Sequence, residues 1–299
     1  MLTLTFLGVG SAFAKRNFQS NALVEAWNVG PHAQSEPDDN LLIDFGGTGP
    51  LALHQLKDQP GFGYLNDAGR IRYAAIRNLF ITHLHGDHIG GLEELAVMTR
   101  YGTNSPRPRL HIAKPLVAPL WENSLKGGLG VHADGMATLS DYFDVNALDP
   151  VENARFALLN RNEFTPISTD HIRIRTKLDW PSFGLLIRDR SSAETVLYSG
   201  DTRFDPEGLG PLMRDAKLIF HEVQLEEEAR PVHATWSELR SLPPEIRKKM
   251  RLYHVSDAHF DRQYAGAEVE FLGFSRAQIR YTLFDSQGGP SLPGGLATD

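Results

Sequence analysis

The stretch Phe80-Ile-Thr-His-Leu-His-Gly-Asp-His-Ile-Gly-Gly91 places four metal-binding side chains, His83, His85, Asp87 and His88, within six residues. A short apolar run of strand type, Asn78-Leu-Phe-Ile81, precedes it. After the Gly90-Gly91 turn, Leu92-Glu-Glu-Leu-Ala-Val-Met-Thr99 continues with helical spacing. The cluster therefore belongs on a strand-to-helix loop. Imidazoles one residue apart point the same way from an extended backbone, whereas Asp87 and His88 begin the next turn and face a second point nearby. Neutral imidazole and carboxylate suit zinc, manganese or iron, and two neighbouring points imply two metal ions. A His-rich surface loop, or a single adventitious site, is the plainer alternative.

Further ligands can be sought along the chain. Thr195-Val-Leu-Tyr198 is a β-rich run ending in Ser199-Gly-Asp-Thr202, and Arg251-Leu-Tyr253 is a second short strand, ending in His254-Val-Ser256. Taken with Leu4-Thr-Phe-Leu-Gly-Val-Gly-Ser11, Leu41-Leu-Ile-Asp-Phe-Gly46 and the His loop, this ordered set resembles the metallo-β-lactamase superfamily of hydrolases. The resemblance spans most of the chain and implies an α/β fold, the four-layer αββα sandwich, with two metals held between two sheets. It assigns His83 and His85 to a first metal and Asp87 and His88 to a second, with Asp201 bridging both and His254 completing the second site. Asp44 would orient a ligand imidazole, support that metal sites generally need. The other reading of Asp44 is a polar residue closing a strand before the Gly46-Gly47 turn.

One position departs from the family pattern. The first metal usually takes a third His shortly before a Ser-x-Gly stretch, and Lys177-Leu-Asp-Trp-Pro-Ser-Phe-Gly184 has none. Asp179 stands nearest the expected place and is the chosen replacement; His171, at the start of a strand expected over Ile172-Arg-Ile-Arg-Thr176, is the alternative. An Asp there would add hard oxygen character and shift the preference from zinc toward manganese or iron. Asp179 could equally serve a turn ahead of Trp180-Pro181.

The 299 residues carry no evident linker or internal repeat, so a single domain over 1–299 is expected. No apolar run is long enough to cross a membrane, and Met1 to Phe6 reads as a first strand rather than a signal peptide, so a cytoplasmic protein is expected. With no cysteine, any metal must be held by nitrogen and oxygen. By the same resemblance, this argues against the antibiotic-hydrolysing members whose second site uses a Cys. Strands are expected at Asn21-Ala26, Leu41-Asp44, Arg155-Leu159, Ser182-Ile187 and Lys217-Phe220, and helices at Pro50-Lys57, Leu92-Arg100, Pro115-Ser124 and Pro244-Lys249. Residues 101–150, with Pro106, Pro108, Pro115 and Pro119 and aromatics at Trp121, Tyr142 and Phe143, read as the least regular part, an inserted lid or interface segment. Residues 288–299 read as a disordered tail.

Two more segments narrow the reaction. Phe220-His-Glu-Val-Gln224 and Pro231-Val-His-Ala-Thr235 resemble, imperfectly, the paired segments of the ribonuclease Z branch, whose members cut phosphodiester bonds. That resemblance makes Glu222 the residue that orients His233, and His233 the one that protonates the leaving group. A strand end and a loop histidine are the simpler reading of the same residues. Asp87 is expected to take the proton of an attacking water, with two divalent metals, zinc or manganese and with iron as a further option, as cofactors. Charge argues against a polynucleotide: 30 basic residues stand against 37 acidic ones, a net charge of −7, where nucleic-acid binders present a basic face. The transfer-RNA arm of that branch is also absent between Gly184 and Asp201. The expected activity is therefore a phosphodiesterase acting on a small phosphodiester such as a cyclic nucleotide. A ribonuclease Z-like endonuclease, a hydrolase of ester, lactone or thioester bonds, and a metal-binding scaffold with a degenerate site stay open as alternatives, as does a homodimer.

Overall fold

A computed structural model of the chain describes residues 1–31, 35–102, 105–133, 135–172, 180–226, 232–259 and 267–285. Two seven-stranded sheets dominate it. The first has the order Asp144–Leu148, Arg109–Ala113, Asn78–Ile81, Asp39–Ile43, Asn21–Ala26, Leu2–Gly8, Arg280–Phe284. The second has the order Phe156–Leu158, Asn162–Thr169, Ser182–Asp189, Thr195–Tyr198, Leu218–Glu222, Met250–Tyr253, Gly273–Phe274.

Period-two alternation explains why the second sheet is buried on both faces. Val196, Tyr198, Phe220 and Tyr253 point into the main core, whereas their neighbours Leu197, Ile219 and Leu252 join a second apolar cluster with Leu209, Met213, Leu239 and Ile246. The second cluster is where the helices Gly210–Asp215, Trp236–Arg240 and Pro244–Arg247 cover the sheet. Between the sheets Phe6 lies 5.5 Å from Phe220 and 5.2 Å from Tyr253, ring centre to ring centre. The expected αββα sandwich is what these layers form. Each of these aromatic side chains contributes roughly 1.5–3 kcal/mol by burial, so the inter-sheet core is what holds the two halves in register.

Parallel pairing decides where chemistry can sit. Asp39–Ile43, Asn78–Ile81 and Arg109–Ala113 run parallel in the first sheet, as do Thr195–Tyr198, Leu218–Glu222 and Met250–Tyr253 in the second. Their carboxyl ends carry Asp44, His83, Asp201, Glu222 and His254, the usual position for a ligand site in such sheets.

Asn78–Ile81 and Thr195–Tyr198 have the expected bounds, and the other expected strands agree to within one or two residues. Residues 101–150 are more regular than their prolines suggest. They supply two strands of the first sheet, Arg109–Ala113 and Asp144–Leu148, paired in parallel over all five residues, with the helix Lys114–Leu120 directly after the first. Asn162–Thr169 was not among the expected strands and contains Pro166. Its outer neighbour Phe156–Leu158 pairs only as far as Phe164, so Pro166 lies beyond that pairing and its missing N–H breaks no ladder bond there. The strand expected over Ile172–Thr176 falls, from Arg173 on, outside the described residues, as does the tail at 288–299. Among the described residues no helix is long and apolar enough to cross a membrane.

Candidate metal centre

The His loop is held by backbone contacts so close that only glycine fits opposite it. Phe45 N donates to the His88 carbonyl (2.7 Å) and Gly91 N to the Phe45 carbonyl (2.8 Å). A Cβ on Gly46 would lie 1.8 Å from the Asp87 carbonyl oxygen, inside any tolerable contact. His85 caps the helix Gly86–Ile89, with extended backbone, while Asp87 and His88 ride on its first turn. One tripeptide step thus separates two directions of approach, as the spacing implied.

Two sets of donors result. In the first, His83 Nε2 lies 2.9 Å from His85 Nδ1, and His171 Nε2 lies 3.2 Å from the same atom. In the second, Asp87, His88, Asp201 and His254 bring one ligand atom each within 4.8 Å of one another. Asp201 Oδ2 stands between the sets, 3.3 Å from His88 Nε2, 3.5 Å from His254 Nε2, 3.8 Å from His83 Nε2 and 4.0 Å from His171 Nε2.

His171 reaches this place for a reason of register. Thr169 pairs with Ser182 across the antiparallel strands Asn162–Thr169 and Ser182–Asp189. Just past that pair, Arg203 N donates to the Asp170 carbonyl (2.7 Å) and Asp170 N to Thr202 Oγ1 (3.3 Å), which fastens the residue before His171 to the segment that carries Asp201. Asp179 lies outside the described residues.

Hydrogen bonds on the far side of each ring select the nitrogen that faces inward. Asp44, fully buried, accepts from Thr82 N (2.8 Å), Thr82 Oγ1 (2.7 Å) and His88 Nδ1 (2.7 Å), leaving His88 Nε2 toward the centre. His171 Nδ1 donates to the Val232 carbonyl at 2.8 Å. His254 Nδ1 lies 3.3 Å from Ser20 Oγ. Asp44 (φ 58°) and His254 (φ 69°) both have left-handed backbone, a strained setting for a histidine that the surrounding hydrogen bonds maintain. Thr82 and Ser20 were not singled out in the sequence, although Thr82 lies inside the His-loop stretch itself.

The donors fit divalent cations. Burial drives His83 far below its ordinary pKa and takes His171 and His254 down to about 4, so these rings are neutral with lone pairs available. Burial works the same way on His88, but the carboxylates of Asp201 and Asp44 outweigh it and lift that ring well above its usual range. The protein field thus calls for positive charge at this point. His88 Nε2 and Asp201 Oδ1 are buried without a hydrogen-bond partner, a costly condition that coordination would relieve. His85 Nδ1 lies 2.9 and 3.2 Å from the other two imidazole nitrogens, close to the ~3.3 Å that tetrahedral zinc–nitrogen bonds of about 2.0–2.1 Å would set.

Beside the ligands lies an acid–base pair. His233 Nδ1 is 2.9 Å from Glu222 Oε1, which also accepts from Thr202 N at 2.7 Å. Burial disfavours the imidazolium, yet Glu222, Asp201 and Asp87 together raise His233 to about 9. His233 Nδ1 is 4.0 Å from Asp201 Oδ2, so the pair adjoins both ligand sets. A cavity of about 520 Å³ opens onto His85, Asp87, Asp201, His233 and His254.

A family model described as Anti-Pycsar protein Apyc1 matches residues 2–281. The chain belongs to the Anti-Pycsar protein Apyc1 family. The Apyc1 protein of Paenibacillus sp. (strain J14) is 41% identical over 285 residues, covering 94% of this chain and 99% of its own. That of Saccharibacillus brassicae is 36% identical over 275 residues, covering 91% and 97%. Among solved structures, the metallo-β-lactamase fold protein YhfI from Bacillus subtilis aligns with TM-score 0.64 at 16% identity, covering 94% of this chain and 98% of its own. Human tRNase Z, short form, aligns with TM-score 0.62 at 19% identity, covering 95% and 100%. Yeast PDE1 aligns with TM-score 0.63 at 17% identity, covering 86% and 88%. These structural likenesses establish the fold, which is the metallo-β-lactamase fold expected from the sequence.

Proposed function

We propose that the chain is a phosphodiesterase that uses two divalent metals to hydrolyse a small phosphodiester such as a cyclic nucleotide. The observation that carries this reading is the Glu222–His233 pair, joined at 2.9 Å and set beside Asp201, because hydrolysis of a phosphodiester expels an alkoxide that needs a proton.

His83, His85 and His171 would hold one metal and Asp87, His88 and His254 the other, with Asp201 shared. Bound there, the metals supply Lewis-acid polarisation of a phosphoryl oxygen and make water acidic enough to attack at neutral pH. Asp87, which lines the cavity, is the carboxylate placed to accept the proton of the attacking water. Glu222 fixes His233 through Nδ1, so Nε2 is the atom that gives up its proton. Water attacks phosphorus, the bond to the leaving oxygen breaks, and His233 protonates that oxygen to give a phosphomonoester.

A small substrate also suits the cavities. A second one, about 680 Å³ and sharing His171 and Ile172 with the first, is lined by Trp180, Phe183 and Pro115. Both volumes lie in the range of about 300–1,000 Å³ usual for small-molecule sites, and Trp180 offers a face on which a base can stack. The chain's excess of acidic residues disfavours a polynucleotide.

The test uses two leaving groups. His233→Ala should lower kcat on a cyclic nucleotide by about 10²–10⁴-fold. The loss should be far smaller on bis(p-nitrophenyl) phosphate, whose departing phenolate needs no proton. Equal losses on both, or none, would reject the acid role. A neutral ester or lactone as the preferred substrate would point to the other hydrolase class. Less than one metal per folded chain, with no hydrolysis under any added divalent metal, would make the protein a scaffold.

A further inference from the structure

We propose that Lys15 is a substrate-contacting residue that grips a non-bridging phosphoryl oxygen, and that Asp257 is the positioning residue that aims it. This rests on the phosphodiesterase reading above and accounts for how that site would favour an anionic substrate.

Lys15 lies on the loop between the strands Leu2–Gly8 and Asn21–Ala26. Together with Ala12 and Phe13, it lines the same 520 Å³ cavity as Asp87, Asp201 and His254. Among the described residues lining that cavity, Lys15 is the only lysine or arginine. Phe13 beside it is 89% exposed.

The backbone of this loop is fastened on every side. Ser11 N donates to the Val255 carbonyl (3.0 Å) and His254 N to the Val9 carbonyl (2.7 Å). Gln19 Nε2 donates to the Ala12 carbonyl at 2.7 Å. The carboxylate of Asp257 then accepts three successive backbone N–H groups, from Lys15 at 2.6 Å, Arg16 at 3.1 Å and Asn17 at 3.3 Å. Lys15 Nζ lies 3.4 Å from the Phe13 carbonyl. Three ordered N–H groups on one carboxylate are more than a surface lysine needs. They remove the backbone freedom that would otherwise have to be lost when the ammonium meets its ligand.

Asp257 stands three residues after His254. One strand end, Met250–Tyr253, therefore sets both a candidate metal ligand and the loop that carries the cation. An ammonium is a compact charge suited to a phosphate oxygen, and its attraction is partly screened by salt at so exposed a residue. A neutral ester or lactone offers it no charge. Lys15 would thus separate phosphodiesters from the other substrates a two-metal hydrolase can take.

The experiment uses the full metal-loaded chain and four variants: Lys15→Gln, Lys15→Arg, Asp257→Asn and the Lys15→Gln/Asp257→Asn double. On a 3′,5′-cyclic nucleotide, Lys15→Gln should raise KM about tenfold with kcat within a few-fold, and flatten the rise of KM with salt. Lys15→Arg should recover most of the affinity. Asp257→Asn should raise KM several-fold, and the double variant should be no worse than Lys15→Gln alone, because both act through one ammonium. Calorimetric titration with inorganic phosphate gives a readout independent of turnover, and Lys15→Gln should weaken it similarly. Unchanged phosphate binding and unchanged salt dependence in Lys15→Gln would overturn the proposal even in a protein that hydrolyses no cyclic nucleotide. Multiplying losses in the double variant would remove Asp257 from the positioning role. A wild-type protein that binds phosphate through Lys15 yet cleaves no phosphodiester would instead refute the function reading alone.

Discussion

Replacing Asp44 by Asn changes one oxygen to an amide group in a pocket with no solvent, so the outcome can be worked from three hydrogen bonds. Oδ1 accepts from Thr82 N, and Oδ2 accepts from Thr82 Oγ1 and His88 Nδ1. An Asn whose oxygen keeps His88 must turn its NH2 against the Thr82 N–H, donor against donor. The opposite flip keeps Thr82 N but sets NH2 against His88 Nδ1, which drives the ring to the tautomer whose Nε2 carries hydrogen and cannot coordinate. Either way a buried donor loses its acceptor, at about 1–3 kcal/mol. Asn accepts the left-handed backbone at φ 58°, so the effect is not confused with strain. The expected result is a 10–100-fold loss of metal affinity at the second site, the usual cost of removing such a partner. A competition titration with a chromophoric chelator measures it, and denaturant unfolding of the metal-free chain reads the stability loss separately. Wild-type metal affinity in Asp44→Asn would refute the assignment of Asp44 as the residue that orients His88.

Two further outcomes follow from the same geometry. His171→Ala should reduce bound metal toward one ion per chain by elemental analysis while Asp179→Ala keeps two, and the reverse pattern would make Asp179 the ligand. His111, buried against Phe156 with ring centres 3.7 Å apart, is depressed by burial to about 3. Its unfolded form titrates near 6.5, so its contribution to stability is complete above that pH and is lost as pH falls toward 3. Denaturation of metal-free protein between pH 7 and 5 should show an acid slope that His111→Gln reduces, by at most about 1.4 kcal/mol per pH unit. An unchanged slope would mean that another group takes up the proton.

The prolines show where reading the chain stops short. The prolines of 101–150 made strands look like loops, because a proline's cost depends on whether its missing N–H faces a partner strand, and that is a property of the sheet. By contrast Asn78–Ile81 and Thr195–Tyr198 are legible in sequence to the residue, since each is a short apolar run bounded by turn residues. Asp44 could be read as a turn residue or as a support for an imidazole; the 2.7 Å contact with His88 decides it.

What the sequence by itself determined is the loop of His83, His85, Asp87 and His88 and the order of the strand ends that follow. Local backbone periodicity is enough to aim neighbouring side chains at two points, and the order of motifs is enough to recognise the fold. What only the tertiary structure decided is which distant groups close those points. His171 joins His83 and His85 because the residue before it is bonded to Arg203, two residues past Asp201. Lys15 is tied to Asp257 across 242 residues of chain because two sheets pack face to face. Distances of that kind are set by packing between strands, and no pattern along a single strand encodes them.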